Sequence, residues 1–226
     1  MALGFKRCPA NPIVTPGLYD WRRACVFNPG VIRDDDGKFY MYERAAGQLR
    51  PFHCYIGMLE SRDGVHFNHV SEKPVFTPEM AGSQFGSVQD PRVVKIEGTY
   101  YMAYAFRPYA WNCNPTGLGV PESSEAEYPG FSRNPNENKT RSGLAVSTDR
   151  VHWKHKCWPT PAEYDDRDVI LFPEKIAGRF ALLRRPLQFV GPAYGTAQPG
   201  IWICFSEDLE HWTVPELIAK PLYKWE

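Results

Sequence analysis

One phrase recurs three times along the 226-residue chain: Ser-x-Asp-x-x-His-aromatic. It stands at Ser61, Asp63, His66 and Phe67, at Ser147, Asp149, His152 and Trp153, and at Ser206, Asp208, His211 and Trp212. Each copy follows a run of alternating or continuous apolar residues: Tyr55 to Glu60, Gly143 to Val146 and Ile201 to Phe205. Period-two alternation marks strands with one buried face. Self-similarity at long period marks a repeat architecture.

A second repeat lies upstream of each copy. An x-Pro opens a strand, a tight turn follows, and an aromatic-rich strand returns. The copies are Asn28-Pro29 with Lys38 to Arg44, Asp90-Pro91 with Thr99 to Tyr104, and Phe172-Pro173-Glu174 with Arg179 to Arg185. Their turns are Asp35-Asp36-Gly37, Glu97-Gly98 and Ala177-Gly178, where glycine supplies the positive φ of a hairpin. From Pro29 to Ser61 is 32 residues, from Pro91 to Ser147 is 56, and from Pro173 to Ser206 is 33. The second unit therefore carries an insertion, at about 107–140, rich in Pro, Asn and Glu. Two antiparallel pairs per unit, with a fourth strand such as Pro74 to Thr77, make a propeller blade. Closed propellers have roughly four to eight blades. Three repeats therefore predict an all-β chain, 1–226, forming a single propeller domain that is truncated at its C-terminus or closed by oligomerisation.

Composition narrows the function classes. The formal net charge is zero, which speaks against nucleic acid or an anionic membrane as partner. No apolar run approaches the length of a membrane span, and Met1 to Pro9 lacks a signal-peptide core, so a cytoplasmic location is expected. The six cysteines have no CxxC spacing and read as free thiols. Asp34-Asp35-Asp36-Gly37 lacks the later ligands of a calcium loop, and His66, His152 and His211 are spaced as corners rather than as a metal cluster. No metal and no organic cofactor is expected.

In a propeller the innermost strands line the axis, and polar residues at their openings converge. The openings present Asn28, Asp90 and Glu174. Carboxylates facing one pocket suit glycosyl transfer, where an acid protonates the leaving oxygen. Asn28 cannot ionise, so an anionic nucleophile such as inorganic phosphate is the simplest replacement for base-activated water. Phosphate in turn calls for forked guanidiniums; Arg167 and Arg185 suit that role, with Arg141 or Lys175 assisting.

The set Phe27-Asn28-Pro29-Gly30, Gln89-Asp90-Pro91-Arg92, Leu171 to Ile176 and Tyr42-Glu43-Arg44 resembles glycoside hydrolase family 130. The resemblance runs from Asn11-Pro12 to the end. It implies a five-bladed propeller, of which about three blades are here, and a β-mannoside phosphorylase, with a β-mannosidase as the alternative. The implied product is α-mannose 1-phosphate, formed with inversion, the partners being a β-mannoside oligosaccharide and phosphate. The resemblance makes Asp90 the general acid. It puts Asn28 and Arg44 at the sugar, with Glu174 beside them on the residue reading, and Arg167 and Arg185 at the phosphate. Asp168 stands where some phosphorylases have Asn, next to phosphate and needing Arg167 as its partner. Arg184 stands where a His often precedes the Arg-Pro, and a further phosphate-binding Lys of the family would fall beyond Glu226. A water-using enzyme would need Glu174 as its base, and a non-catalytic sugar-binding fragment is the third possibility. Tyr109, Trp111, Tyr128 and Phe131 in the insertion suit an acceptor sugar or a subunit contact, so a homo-oligomer is also open.

Overall fold

The computed structural model describes residues 4, 6–49, 51–110 and 139–223. Most of the insertion, including Trp111, Tyr128 and Phe131, lies outside them. The described strands form three four-stranded antiparallel sheets in chain order. The first holds β1 (Cys25–Arg33), β2 (Phe39–Ala46), β3 (Cys54–Ser61) and β4 (Asn68–His69). The second holds β5 (Ser87–Ile96), β6 (Thr99–Arg107), β7 (Arg141–Ser147) and β8 (Lys154–Cys157). The third holds β9 (Asp166–Leu171), β10 (Phe180–Pro186), β11 (Ile201–Ser206) and β12 (Glu216–Ala219). This is the up-and-down meander of a propeller blade, three times over.

Both sequence repeats have structural causes. The β5–β6 and β9–β10 hairpins turn on Glu97-Gly98 and Ala177-Gly178, with positive φ at both residues of each pair. That is the type I′ geometry whose twist matches the flanking strands. The Ser-x-Asp-x-x-His phrase is a closed corner after each third strand. Ser61 Oγ donates to Asp63 Oδ1 at 2.9 Å and accepts from the Gly64 amide. Asp63 Oδ1 accepts the Val65 and His66 amides, and its other oxygen meets His66 Nδ1 at 2.7 Å. The same bonds recur at Asp149 and at Asp208. The corners are therefore backbone devices, as the recurring histidines led us to expect.

The sheets pack face to face through two aromatic-rich cores. Between the first and second, Tyr42 is fully buried and meets Trp153 edge-on, with ring centroids 5.6 Å apart; its hydroxyl donates to the Arg150 carbonyl. Between the second and third, Leu144, Leu171, Leu182 and Cys204 are completely or almost completely buried. Near the axis even backbones touch. A Cβ at Gly30 would sit 2.3 Å from the Pro91 carbonyl oxygen, so only glycine lets β1 and β5 approach this closely.

Two sequence expectations are corrected. Pro74 to Thr77 does not form the fourth strand. The outer strand is Asn68–His69, and Phe76 turns inward to the core with one isolated bridge to Ile56. Phe172 to Ile176 does not open the third sheet either. β9 ends at Leu171, and Pro173 lies in the hairpin that follows. A proline beside a turn and a proline at a bulge read alike in sequence.

Candidate active site

The first strand of every sheet is broken by a bulge at the same place. Pairing shifts between Phe27 and Gly30 in β1, between Gln89 and Arg92 in β5, and between Arg167 and Ile170 in β9. At each bulge one non-glycine residue takes a left-handed backbone: Asn28 at φ 46°, Asp90 at φ 50° and Asp168 at φ 62°. Asn and Asp tolerate that region best among L residues, and bulges re-aim side chains at sites. The third member of the set is therefore Asp168, and Glu174 is not. Glu174 is exposed in the β9–β10 hairpin, six residues further along, or about 20 Å at strand rise.

The bulges bring named groups together. Asp90 Oδ1 accepts from Asn28 Nδ2 and from Arg44 Nη1, each at 2.9 Å. Its Oδ2 has no hydrogen-bond partner among the described residues. Asn28 is exposed and the Asp90 side chain partly so, whereas Arg44 is buried. Arg44 lies over the Phe27 ring at 4.3 Å, and its Nε donates to Cys54 Sγ at 3.4 Å. Burial works against the Arg44 charge, but Cys54 and the Asp90 carboxylate outweigh it and hold its pKa above the usual value. Burial pushes the Cys54 thiol up, against the pull of Arg44.

Arginines continue the cluster onto the third sheet. Arg92 donates to the Asp90 carbonyl at 3.2 Å and lies 3.5 Å from Asp168 Oδ1. Arg185 bonds the other oxygen of Asp168 at 2.5 Å. Arg167 faces Arg185 across the β9–β10 ladder. Like charges directly opposite are destabilising unless compensated, and each has its own carboxylate. Arg167 is chelated by Asp165 at 2.7 and 2.8 Å. The expected Asp168–Arg167 pair is thus replaced by Asp168–Arg185 and Asp165–Arg167. Beneath them Arg184 and Asp166 form a buried ion pair.

Two of the expected phosphate groups lie elsewhere. Lys175 is bound to Glu97 at 2.8 Å, at the hairpin end of the sheets. Arg141 stacks on Trp158 at 4.6 Å and donates to the Thr160 carbonyl, in the space between the second and third sheets. In their place the fold supplies Arg107, the last residue of β6. Its Nη1 donates to Thr140 Oγ1 at 3.0 Å. Burial lowers its pKa to about 10, with the charges of Arg167 and Arg44 adding to the effect and Asp165 opposing it. The sequence signal was available: β6 runs on past Tyr104, and Arg107 is two residues beyond the Ala105 that faces Gln89, hence on the same face.

Known proteins share this framework. The family model described as beta-1,4-mannooligosaccharide phosphorylase matches residues 6–114. A 1,2-beta-oligomannan phosphorylase of Thermoanaerobacter sp. (strain X514) is 32% identical across 98% of this chain. The chain belongs to glycoside hydrolase family 130. A Beta-1,4-mannooligosaccharide phosphorylase of Ruminococcus albus is 24% identical over 97% of the chain. The chain spans 63% and 56% of the lengths of these two relatives. Among solved structures, the Beta-1,2-Mannobiose phosphorylase of Listeria innocua superposes with a TM-score of 0.61 at 19% identity, covering 94% of this chain and 65% of that one. A glycosyl hydrolase from Bacteroides ovatus gives 0.62 at 18% identity, with coverages of 95% and 59%. At such identities these likenesses speak for the fold.

Proposed function

We propose that the protein is a β-mannoside phosphorylase and that its three sheets are three blades of a five-bladed propeller. Phosphate attacks the anomeric carbon from the face opposite the leaving group, giving α-mannose 1-phosphate with inversion. Asp90 protonates the leaving oxygen, directly or across a sugar hydroxyl. The observation that carries the reading is the Asp90 carboxyl. Asn28 and Arg44 both grip Oδ1, which leaves Oδ2 to hold the proton and face the substrate. A carboxylate with one oxygen fixed and one open is oriented for a single proton transfer.

The nucleophile follows from the same set. Asn28 cannot activate water, Asp168 is engaged by Arg185 and Arg92, and Glu174 lies at the far end of the sheets. Arg167, Arg185 and Arg107 offer the guanidinium groups that an anionic co-substrate needs. Phosphate would displace Asp165 and Asp168 from part of their arginine contacts. Inorganic phosphate is the only co-substrate the reading calls for, because the arginines supply the positive charge. Arg44 and Asn28 bind the sugar beside Asp90.

The test is phosphate dependence. Incubation with β-1,2- or β-1,4-mannobiose should release mannose 1-phosphate only when phosphate is present, at a rate that saturates with phosphate. Release of free mannose at a rate indifferent to phosphate would overturn the reading in favour of the hydrolase.

A further inference from the structure

We propose that the cleft between the second and third sheets is a second carbohydrate site, taking a neutral pyranose of a manno-oligosaccharide away from the Asp90 cluster. The choice of mannose-series sugar rests on the phosphorylase reading; the site itself rests on its own geometry.

The cleft has a volume of about 860 Å³, within the range of small-molecule sites. Among the described residues its walls include Trp158 from the second sheet's side and Phe189, Tyr194, Trp202 and Trp212 from the third. Phe189 and Tyr194 stack at 4.7 Å, and Trp202 meets Phe189 edge-on at 5.1 Å. Such rings present an apolar face with a polar edge, which matches the C–H face and hydroxyl rim of a pyranose.

Two observations select the ligand's chemistry. First, Trp202 is 7% exposed, and its indole Nε1–H has no hydrogen-bond partner. A buried unpaired donor costs about 1–3 kcal/mol, and such groups in folded proteins call for an explanation. The N–H is closed off from solvent, so a small shift of the indole would have to accompany binding; a hydroxyl or ring oxygen would then satisfy it, whereas a hydrocarbon would not. Second, the charged lining is mostly neutralised from within. Arg184 is paired with Asp166, and Glu210 with Lys156. Arg141 lies over the Trp158 ring with its Nε on the Thr160 carbonyl. An uncharged ligand rich in acceptors fits this wall better than an anion does.

The neighbouring interface shows that the opening is not imposed by the repeat. Between the first and second sheets, the β4–β5 connection drives Val75, Phe76 and Ala81 into the core, all buried, with Phe76 4.8 Å from Tyr104. The corresponding β8–β9 connection supplies Pro159, Thr160, Pro161 and Tyr164, which line the cleft instead of closing it.

The experiment follows the indole resonances of the full chain by ¹H–¹⁵N correlation while β-1,4-mannotriose is added. Trp202→Phe identifies the Trp202 signal. The expected result is a saturable shift of that signal, equally in wild type and in Asp90→Asn. Trp202→Phe and Tyr194→Ala should each weaken binding at the cleft about tenfold, read on the Trp158 and Trp212 indoles, with phosphate-dependent turnover within twofold of wild type. An unmoved Trp202 signal, or unchanged cleft binding in both variants with thermal midpoints no lower than wild type, overturns the proposal. If phosphorolysis is absent but the Trp202 response persists, the phosphorylase reading fails and the cleft stands. Normal phosphorolysis with a silent Trp202 gives the converse.

Discussion

The two ends of the inner strands are built from similar residues and arranged in opposite ways. At the hairpin end, Asp34 is almost fully buried and saturated with donors: Tyr100 Oη at 2.5 Å, Lys95 Nζ at 3.0 Å and Arg150 Nη1 at 2.6 Å. Burial acts to raise its pKa, but these bonds and the Asp35 amide outweigh it and hold Asp34 well below the usual carboxylate range. At the bulge end, Asp90 keeps one oxygen open, and Arg167 and Arg185 remain about one-third exposed. Left-handed backbone occurs at both ends, but at the hairpin end Glu97 and Ala177 use it to close type I′ turns, whereas at this end Asn28, Asp90 and Asp168 use it at bulges. A satisfied carboxylate joins two sheets; a half-satisfied one on a strained bulge is available for chemistry.

The largest effect should come from the open oxygen. Asp90→Asn keeps the shape and the Arg44 contact while removing the proton, and a general acid contributes about 10²–10⁴-fold. Phosphorolysis of mannobiose should fall by that factor with the thermal midpoint little changed. Retained turnover would mean that Asp90 is a second structural carboxylate and would erase the contrast between the two ends.

Next comes the arginine pair. Arg185→Ala removes one fork and leaves Asp168, beside the proposed phosphate, with only its 3.5 Å contact to Arg92. The KM for phosphate should rise ten- to a hundredfold, about 1.4–2.8 kcal/mol, with a smaller change in the KM for mannobiose. Equal changes in both would indicate a collapsed β9–β10 ladder rather than a lost anion contact.

Much of this end was legible in sequence where a proline marked the bulge. Asn28-Pro29 and Asp90-Pro91 stand beside their bulges, so the openings of β1 and β5 could be read directly. The third bulge carries Val169 in place of proline, and the nearest x-Pro, Phe172-Pro173, belongs to the hairpin beyond. The repeat was therefore extended to the wrong word, and Glu174 took the place of Asp168. Arg107 escaped because its strand was ended at Tyr104. Which carboxylate holds which arginine was not legible, because Asp165 and Asp168 both lie within two residues of Arg167 and only the ladder register decides between them. Arg141 has the residue type of an anion ligand, but the packing of Trp158 against Tyr104 and Phe106 fixes it in the interblade cleft.

At the hairpin end the expected effect is on stability alone. Asp34→Asn weakens charge-assisted bonds to Lys95 and Arg150 and should cost about 1.5 kcal/mol, read from chemical denaturation, with KM values unchanged. The pH dependence has a definite sign. A carboxylate depressed in the folded state stabilises it above the unfolded pKa, about 3.9, and that stability is lost as pH falls through the folded value. Wild type should therefore lose stability on acidification below about pH 4 more steeply than Asp34→Asn. The corner aspartates 63, 149 and 208, also held low by their histidines and backbone amides, add an acid-labile background common to both proteins. A parallel decline in the two would show that the Asp34 network is not a distinct joint.

The smallest effect separates the two ends most cleanly. Glu174 and Lys175 were drawn to the site by their sequence context, and the fold puts both in the β9–β10 hairpin, with Lys175 tied to Glu97 across the neighbouring hairpin. Glu174 is exposed, so its removal costs little packing, and surface changes away from special features stay within about 0.5 kcal/mol. Glu174→Gln should leave phosphorolysis within twofold of wild type at every phosphate concentration, and should not alter the phosphate dependence. A substantial fall in turnover would require that hairpin to reach substrate from about 20 Å along the strand. It would revive Glu174 as a water-activating base, and the hydrolase with it. Unchanged kinetics in Glu174→Gln beside a silenced Asp90→Asn would assign the proton chemistry to the bulge end, because the two carboxylates then differ in position rather than in kind.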